Sequence, residues 1–183
     1  MYIVPNEDNF TRIILVEKKN PANFNAASGG TINVNGGGSI TFTANSIVNK
    51  NTGVPYNGNV TVYSTWIDPT SSKLGDLIPG ALRGFNTNGE EKLLQSYGMV
   101  GAELFDDTKQ ALQIASGYTA QITFPIPGPL AATAPANIPL WYFDETNGMW
   151  KEQGNAQVQG GNYVGNVSHF SFWNCDYPAT LVQ

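Results

Sequence analysis

The sequence has little charge, one cysteine and one histidine. Asp, Glu, Lys and Arg together make up 13% of its 183 residues, with a net charge of -5 and a single Cys and His. No long run of Lys or Arg is present, so there is no electrostatic grip for nucleic acid or anionic lipid, and neither is expected as a partner. One cysteine, Cys175, cannot close an internal disulfide; its count leaves the compartment open, and its expected place is that of a small buried hydrophobe. One His and one Cys do not make a zinc site, and the acids match no calcium-loop spacing, so no metal and no cofactor is expected. No stretch approaches the ~18 consecutive apolar residues of a membrane span, and direct membrane insertion is not expected. Met1–Asp8 lacks the charged start and apolar core of a signal peptide. Any export signal is therefore expected to lie outside this sequence.

Two further absences concern catalysis. Ser28-Gly29-Gly30 lacks the Gly-x-Ser-x-Gly elbow of hydrolases, and Gly36-Gly37-Gly38 falls in a hairpin turn rather than before a helix, so it is no phosphate cradle. Asp106-Asp107 and Asp144-Glu145 are neighbours beside turn residues. In a strand, neighbours point to opposite faces, so these pairs read as solvated turn acids rather than as paired catalytic carboxylates.

What is present is short apolar runs punctuated by Gly, Asn, Thr and Ser. Thr31–Val34 and Ser39–Ala44 flank Asn35–Gly38 as a hairpin, and Asn59–Ile67 alternates strongly before Asp68-Pro69 stops it. Residues 70–84 have no period, and Leu77-Ile78-Pro79-Gly80 reads as an ordered loop with apolar anchors. Lys92–Phe105 is long enough for one bulged strand or two, with Gly98 at the break. Lys109–Leu112 is the one helical candidate. Tyr118–Pro127 runs into a Pro-rich crossover, and Ile138–Asp144 and Met149–Gly154 flank Thr146-Asn147-Gly148 as another hairpin. Roughly nine to twelve short strands of this kind predict an all-β, antiparallel β-sandwich. The expected division is an arm or linker over 1–23, one sandwich domain over 24–177, and a linker to a following domain over 178–183.

Chemistry concentrates near the end, in Val167–Asp176, which holds both the His and the Cys. Its alternation reads as a strand with Phe170 and Phe172 on one face and His169, Ser171 and Trp173 on the other. The plain reading makes His169 a half-buried imidazole bonded to a neighbouring hydroxyl or carbonyl. Trp141 and Trp150 invite a glycan-binding reading, in which exposed aromatics stack on sugar rings, set against burial of both in the core.

Pro79-Gly80, Leu94–Val100, Ile138–Glu145, Gly148–Glu152 and Val167–Asn174 together resemble a module common in surface proteins of Bacteroidota, often followed by carboxypeptidase-regulatory-like domains. The series is also similar to extracellular segments of cartilage intermediate layer protein and, more distantly, to the ZU-five domain of ankyrins and netrin receptors. The resemblance covers residues 24–176. It implies a ZU-five-like sandwich, export to the cell surface or periplasm, and a structural or interaction module of a larger protein without activity on a diffusible substrate. Its partners would be an unidentified protein or glycan and the neighbouring domains of the same chain.

Some ZU-five domains, an autocleaving nucleoporin and GAIN domains cut their own chain at His-Phe/Ser, and His169-Phe170-Ser171 resembles that motif. By this resemblance Ser171 is the nucleophile, His169 the general base, and Phe170 the donor of the attacked carbonyl. Proximity is built in, because a hydroxyl attacking the carbonyl before it closes a five-membered ring. On a regular strand, however, residues two apart are separated by about two rises of ~3.3 Å, too far for a ~3 Å hydrogen bond. Self-cleavage between Phe170 and Ser171 therefore requires a kink at Phe170.

Overall fold

The computed structural model of the chain describes residues 17, 18 and 20–179. The opening strands are β1 (Ala22–Asn25), β2 (Gly30–Asn33), β3 (Ser39–Phe42), β4 (Ile47–Asn49) and β5 (Asn59–Ile67). A helical turn at Leu74–Leu77 precedes β6 (Arg83–Phe85), β7 (Glu91–Phe105) and β8 (Ala111–Ile114). After β9 (Ala120–Pro125) a 3-10 segment, Gly128–Thr133, leads to β10 (Asn137–Asp144), β11 (Met149–Gln159), β12 (Asn162–Val167) and β13 (Phe172–Ala179). The chain is all-β, with more strands than its sequence pattern suggested, because β4 and β6 are too short to show a period. The sheet begins at Ala22, slightly ahead of the expected start at Phe24, and runs to Ala179. Most of the arm expected over residues 1–23 lies outside the described residues, as does the linker past Ala179.

Hydrogen bonding orders the strands β1-β5-β7-β13-β10-β11-β12-β9-β3-β2, with β4 on β8, β8 on β7, and β6 between β7 and β11. All strand pairings are antiparallel except β6 with β11. The sheet folds over on itself, because rings from strands far apart in this order meet. Phe24 of β1 stacks on Phe42 of β3 at 4.1 Å, and Trp66 of β5 lies 6.4 Å from Phe124 of β9. Tyr97 of β7 meets Tyr163 of β12 edge-on at 6.0 Å. The large core between these layers holds Ile40, Val62, Ile122, Leu140, Trp173 and Cys175, all fully buried.

A second, smaller cluster covers the other face of β7 and β10. Ile67, Leu94, Met99, Trp141 and Trp150 pack there under Leu74, Leu77, Ile78 and Leu82. The aperiodic loop of residues 70–84 is therefore anchored by apolar side chains, as its composition suggested. Consecutive residues of β10 consequently go to different cores, Leu140 to the large one and Trp141 to the small one.

Two glycine sites explain local chain direction. Gly36, Gly37 and Gly38 have φ of 94°, 149° and 84° in the β2–β3 turn, where left-handed backbone is needed and side chains are disfavoured. Gly98 has φ 140°, and a Cβ there would overlap the Trp66 indole. Ser96 pairs with Asp176 and Met99 with Asn174, so Tyr97 and Gly98 together oppose Cys175. This is a β-bulge in one continuous strand, the single-strand form of the two options at Gly98.

The helical expectation at Lys109–Leu112 is corrected. Asp106 Oδ1 accepts from the backbone N–H groups of Thr108 and Gln110 to close a turn, and Ala111–Ile114 continues as β8 against β4 and β7. Sheet pairing outweighs the weak helix propensity of so short a segment.

Gly98→Ala is expected to destabilise the fold by about 3 kcal/mol, combining left-handed backbone strain with overpacking on Trp66. Gly75→Ala, where a Cβ meets open space, should stay within about 0.5 kcal/mol of the parent. Urea unfolding of the two variants measures the difference.

Candidate functional site: the β12–β13 corner

The expected continuous strand over Val167–Asp176 is two strands joined by a bend. β12 stops at Val167, residues 168–171 turn the chain, and β13 starts at Phe172. The face assignment is corrected with it, since alternation does not carry through a bend. Phe170 enters the large core, 5.5 Å from Phe42, on the same side as Trp173, while Phe172 packs on the smaller cluster.

Three contacts fix the bend. Gln113, on β8, accepts from the Phe170 N–H through Oε1 at 2.8 Å and donates from Nε2 to the Phe170 carbonyl at 3.2 Å. Trp173 Nε1 donates to the His169 carbonyl at 2.8 Å. The His169 ring then stands edge-on to Tyr142 at 4.7 Å and lies 5.0 Å from the Trp173 ring. Burial among these rings, with a smaller push from the Lys50 ammonium, holds the imidazole below its ordinary pKa, so it is neutral at pH 7 and its free nitrogen is a base.

A kink at Phe170 is present, but the imidazole and the hydroxyl of the motif are not joined. His169 Nδ1 lies 3.4 Å from Ser168 Oγ, whereas Ser171 Oγ donates to the Phe172 carbonyl at 3.2 Å. What the corner does provide is a polarised Phe170 carbonyl, held by the Gln113 amide where an oxyanion would develop. Gln113 carried no signal in the sequence, because its role depends on β8 pairing beside β7.

Trp141 and Trp150 are both fully buried in the smaller cluster. The expectation that they stack on sugar rings is therefore corrected: no face of either indole reaches solvent. Trp141 Nε1 donates to the Asp176 carbonyl at 3.1 Å, while the buried Trp150 Nε1 has no hydrogen-bond partner. Beside the corner, Phe85, Asn86, Tyr142, Lys151 and Glu152 line an open groove of ≈ 380 Å³.

The carboxylates behave as turn acids. Asp144 pairs with Lys151 at 2.5 Å and accepts from the Thr146 N–H, contacts that hold its carboxyl below the usual range. Among the described residues no group of three His, Cys, Asp or Glu side chains stands close enough to hold a metal ion. Cys175 is fully buried, and desolvation pushes its thiol well up, which leaves it inert as a nucleophile.

Fold and corner together define an all-β sandwich-like domain whose late aromatic strand is locked by core contacts. No family model and no solved structure matches the chain. It is 30% identical over 112 residues to cartilage intermediate layer protein 2 of Mus musculus, an alignment that covers 60% of this chain and 9% of that protein. The likeness is thus to a segment of a much longer relative. The described residues include no helix long and apolar enough to cross a membrane.

Because the folded His169 pKa is depressed, the unfolded chain binds more protons below ~6.5. The stabilisation is complete above that value and is lost as pH falls through the folded pKa. Tm measured from pH 8 to pH 5 is expected to drop on the acid side, and His169→Phe, which keeps an aromatic ring against Tyr142 and Trp173, should flatten that drop.

Proposed function

We propose that this chain is an exported, cell-surface or periplasmic β-sandwich that serves as a structural or interaction module of a larger polypeptide and turns over no diffusible substrate. The observation that carries the reading is how the side chains of the late strand are spent. His169 packs between two aromatic rings, Ser171 bonds its own backbone, and Trp173 braces the bend. The relative's name, which refers to the intermediate layer of cartilage, supports a place outside the cell, and the small share of it that is matched supports a module within a longer chain. The partner is a protein or glycan at the surface, met with the help of neighbouring domains. Protease shaving of intact cells that produce the parent protein, followed with an antibody to this domain, is expected to remove the signal. A signal that is lost only after lysis to the cytoplasm would overturn the reading.

The alternative with a specific observation in its favour is one-time self-cleavage between Phe170 and Ser171. That observation is the Gln113 amide on the Phe170 carbonyl at a bend in the chain. Reaction would need the Ser171 hydroxyl to leave the Phe172 carbonyl and the imidazole of His169 to swing from Ser168 towards it. Denatured intact mass distinguishes the two readings. Fragments 1–170 and 171–183, lost in Ser171→Ala and slowed at least tenfold in Gln113→Ala, support the cut; a single uncut chain that persists for days removes it.

A further inference from the structure

A buried polar triad sits behind the corner, in the smaller cluster. Ser96, Asn174 and Asp176 are 7%, 0% and 0% exposed, where the surrounding side chains are apolar. Asn174 and Asp176 alternate with Trp173 and Cys175 along β13, so they share the face of Phe172 and the smaller cluster, while Trp173 and Cys175 enter the large core. Ser96 is the register partner of Asp176 across the β7–β13 ladder, at the edge of the bulge. Ser96 Oγ donates to Asn174 Oδ1 at 2.8 Å and accepts from the Gly98 N–H at 3.2 Å. Asn174 Nδ2 donates to Asp176 Oδ2 at 2.7 Å, and Asp176 Oδ1 has no partner.

A network that served only to fix register would be fully paired, since a half-satisfied buried network costs more than apolar residues of the same size. An unpaired carboxyl oxygen beside a hydroxyl and a carboxamide, all shut away from water, is a reactive arrangement. We infer that Ser96, Asn174 and Asp176 form a self-processing site, in which the Ser96 hydroxyl displaces ammonia from the Asn174 carboxamide and leaves an ester that ties β7 to β13.

The step balances without any co-reactant. Rotation of the Asn174 carboxamide about Cβ–Cγ presents a face of its carbonyl group to Ser96 Oγ in place of the Oδ1 edge, and the Oγ–Cγ bond forms. The hydroxyl proton passes to the Asp176 carboxyl, which delivers a proton to Nδ2. The Cγ–Nδ2 bond then breaks and ammonia leaves, with nothing oxidised or reduced and Asp176 returned to its starting state. A carboxyl that is neutral can both give and take a proton in one place, and desolvation pushes Asp176 well above the usual carboxylate range, opposed by the Ser96 hydroxyl. Fixed neighbours replace a bimolecular encounter, and exclusion of water protects the ester once it has formed.

The test is the intact mass of the freshly purified, denatured chain, with peptide mapping. The expected result is a mass below that of the sequence by one ammonia, and a peptide containing Ser96 joined to one containing Asn174. Mild alkali should add one water and separate the two peptides. Ser96→Ala and Asp176→Asn, the second an uncharged isostere, are expected to keep the full sequence mass. An unmodified mass for the parent chain would overturn the inference, whatever the variants do. So would an ammonia loss that survives Ser96→Ala, because that marks a succinimide at an asparagine rather than an ester.

Discussion

The strand that closes the sheet is the last one among the described residues. β13 lies between β7 and β10 and is hydrogen-bonded to both, so without residues 172–179 only the three-residue β6 would link β7 to the β10–β11 pair. Ser96 and Asn174, which bond across that ladder, are 78 positions apart. Contacts of such separation are paid for in loop entropy before they return stability. The bend at residues 168–171 sets the entry angle of β13, which explains why Gln113 and Trp173 spend good hydrogen bonds on the backbone of Phe170 and His169. A polar side chain that clamps main chain inside a core costs less than leaving the bent peptide groups unpaired.

Inserting β13 between two partners also buries both of its faces. Trp173 and Cys175 look into the large core, while Asn174 and Asp176 look towards the smaller cluster. The same double burial holds for β7, where Ser96 through Ala102 form one unbroken buried run. The outer face is covered not by another sheet but by the loop carrying Leu74, Leu77, Ile78 and Leu82. That loop has no regular period because it needs none: its apolar anchors need only reach the cluster that holds Trp141 and Trp150.

This double burial decides what could be read from residues alone. Asn59–Ile67 was legible to the residue, since its pattern alternates between a buried and a wetter face, and the glycine turn and the bulge at Gly98 announce themselves through backbone needs that other residues do not meet. Trp141 misleads for the opposite reason. A strand covered on both sides has no wet face, so alternation around Trp141 and Trp150 cannot distinguish a sugar platform from a second core. β8 was unreadable because its four residues gain their structure from β4 and β7, and with it went Gln113. The His-Phe/Ser motif was legible as residues, but its geometry depends on which carbonyl each hydroxyl finds, and Ser171 finds its own neighbour's.

The placement of β13 bears on both covalent readings at once. A cut between Phe170 and Ser171 would fall in the bend, ahead of the first residue of β13, and would sever none of the ladder bonds to β7 or β10. The severed strand would remain held by Trp173, Cys175 and the Trp141–Asp176 bond in the interior. A tie between Ser96 and Asn174 acts on the other side of the same point, within the ladder itself. It would turn a strand retained by packing into one retained by a bond, which would hold β13 to β7 even where packing fails. In the proposed role within a longer surface polypeptide, tension on the chain that follows Ala179 would meet β13 first. Because β13 is paired on both edges, such tension would act on two ladders at once rather than peel a free edge.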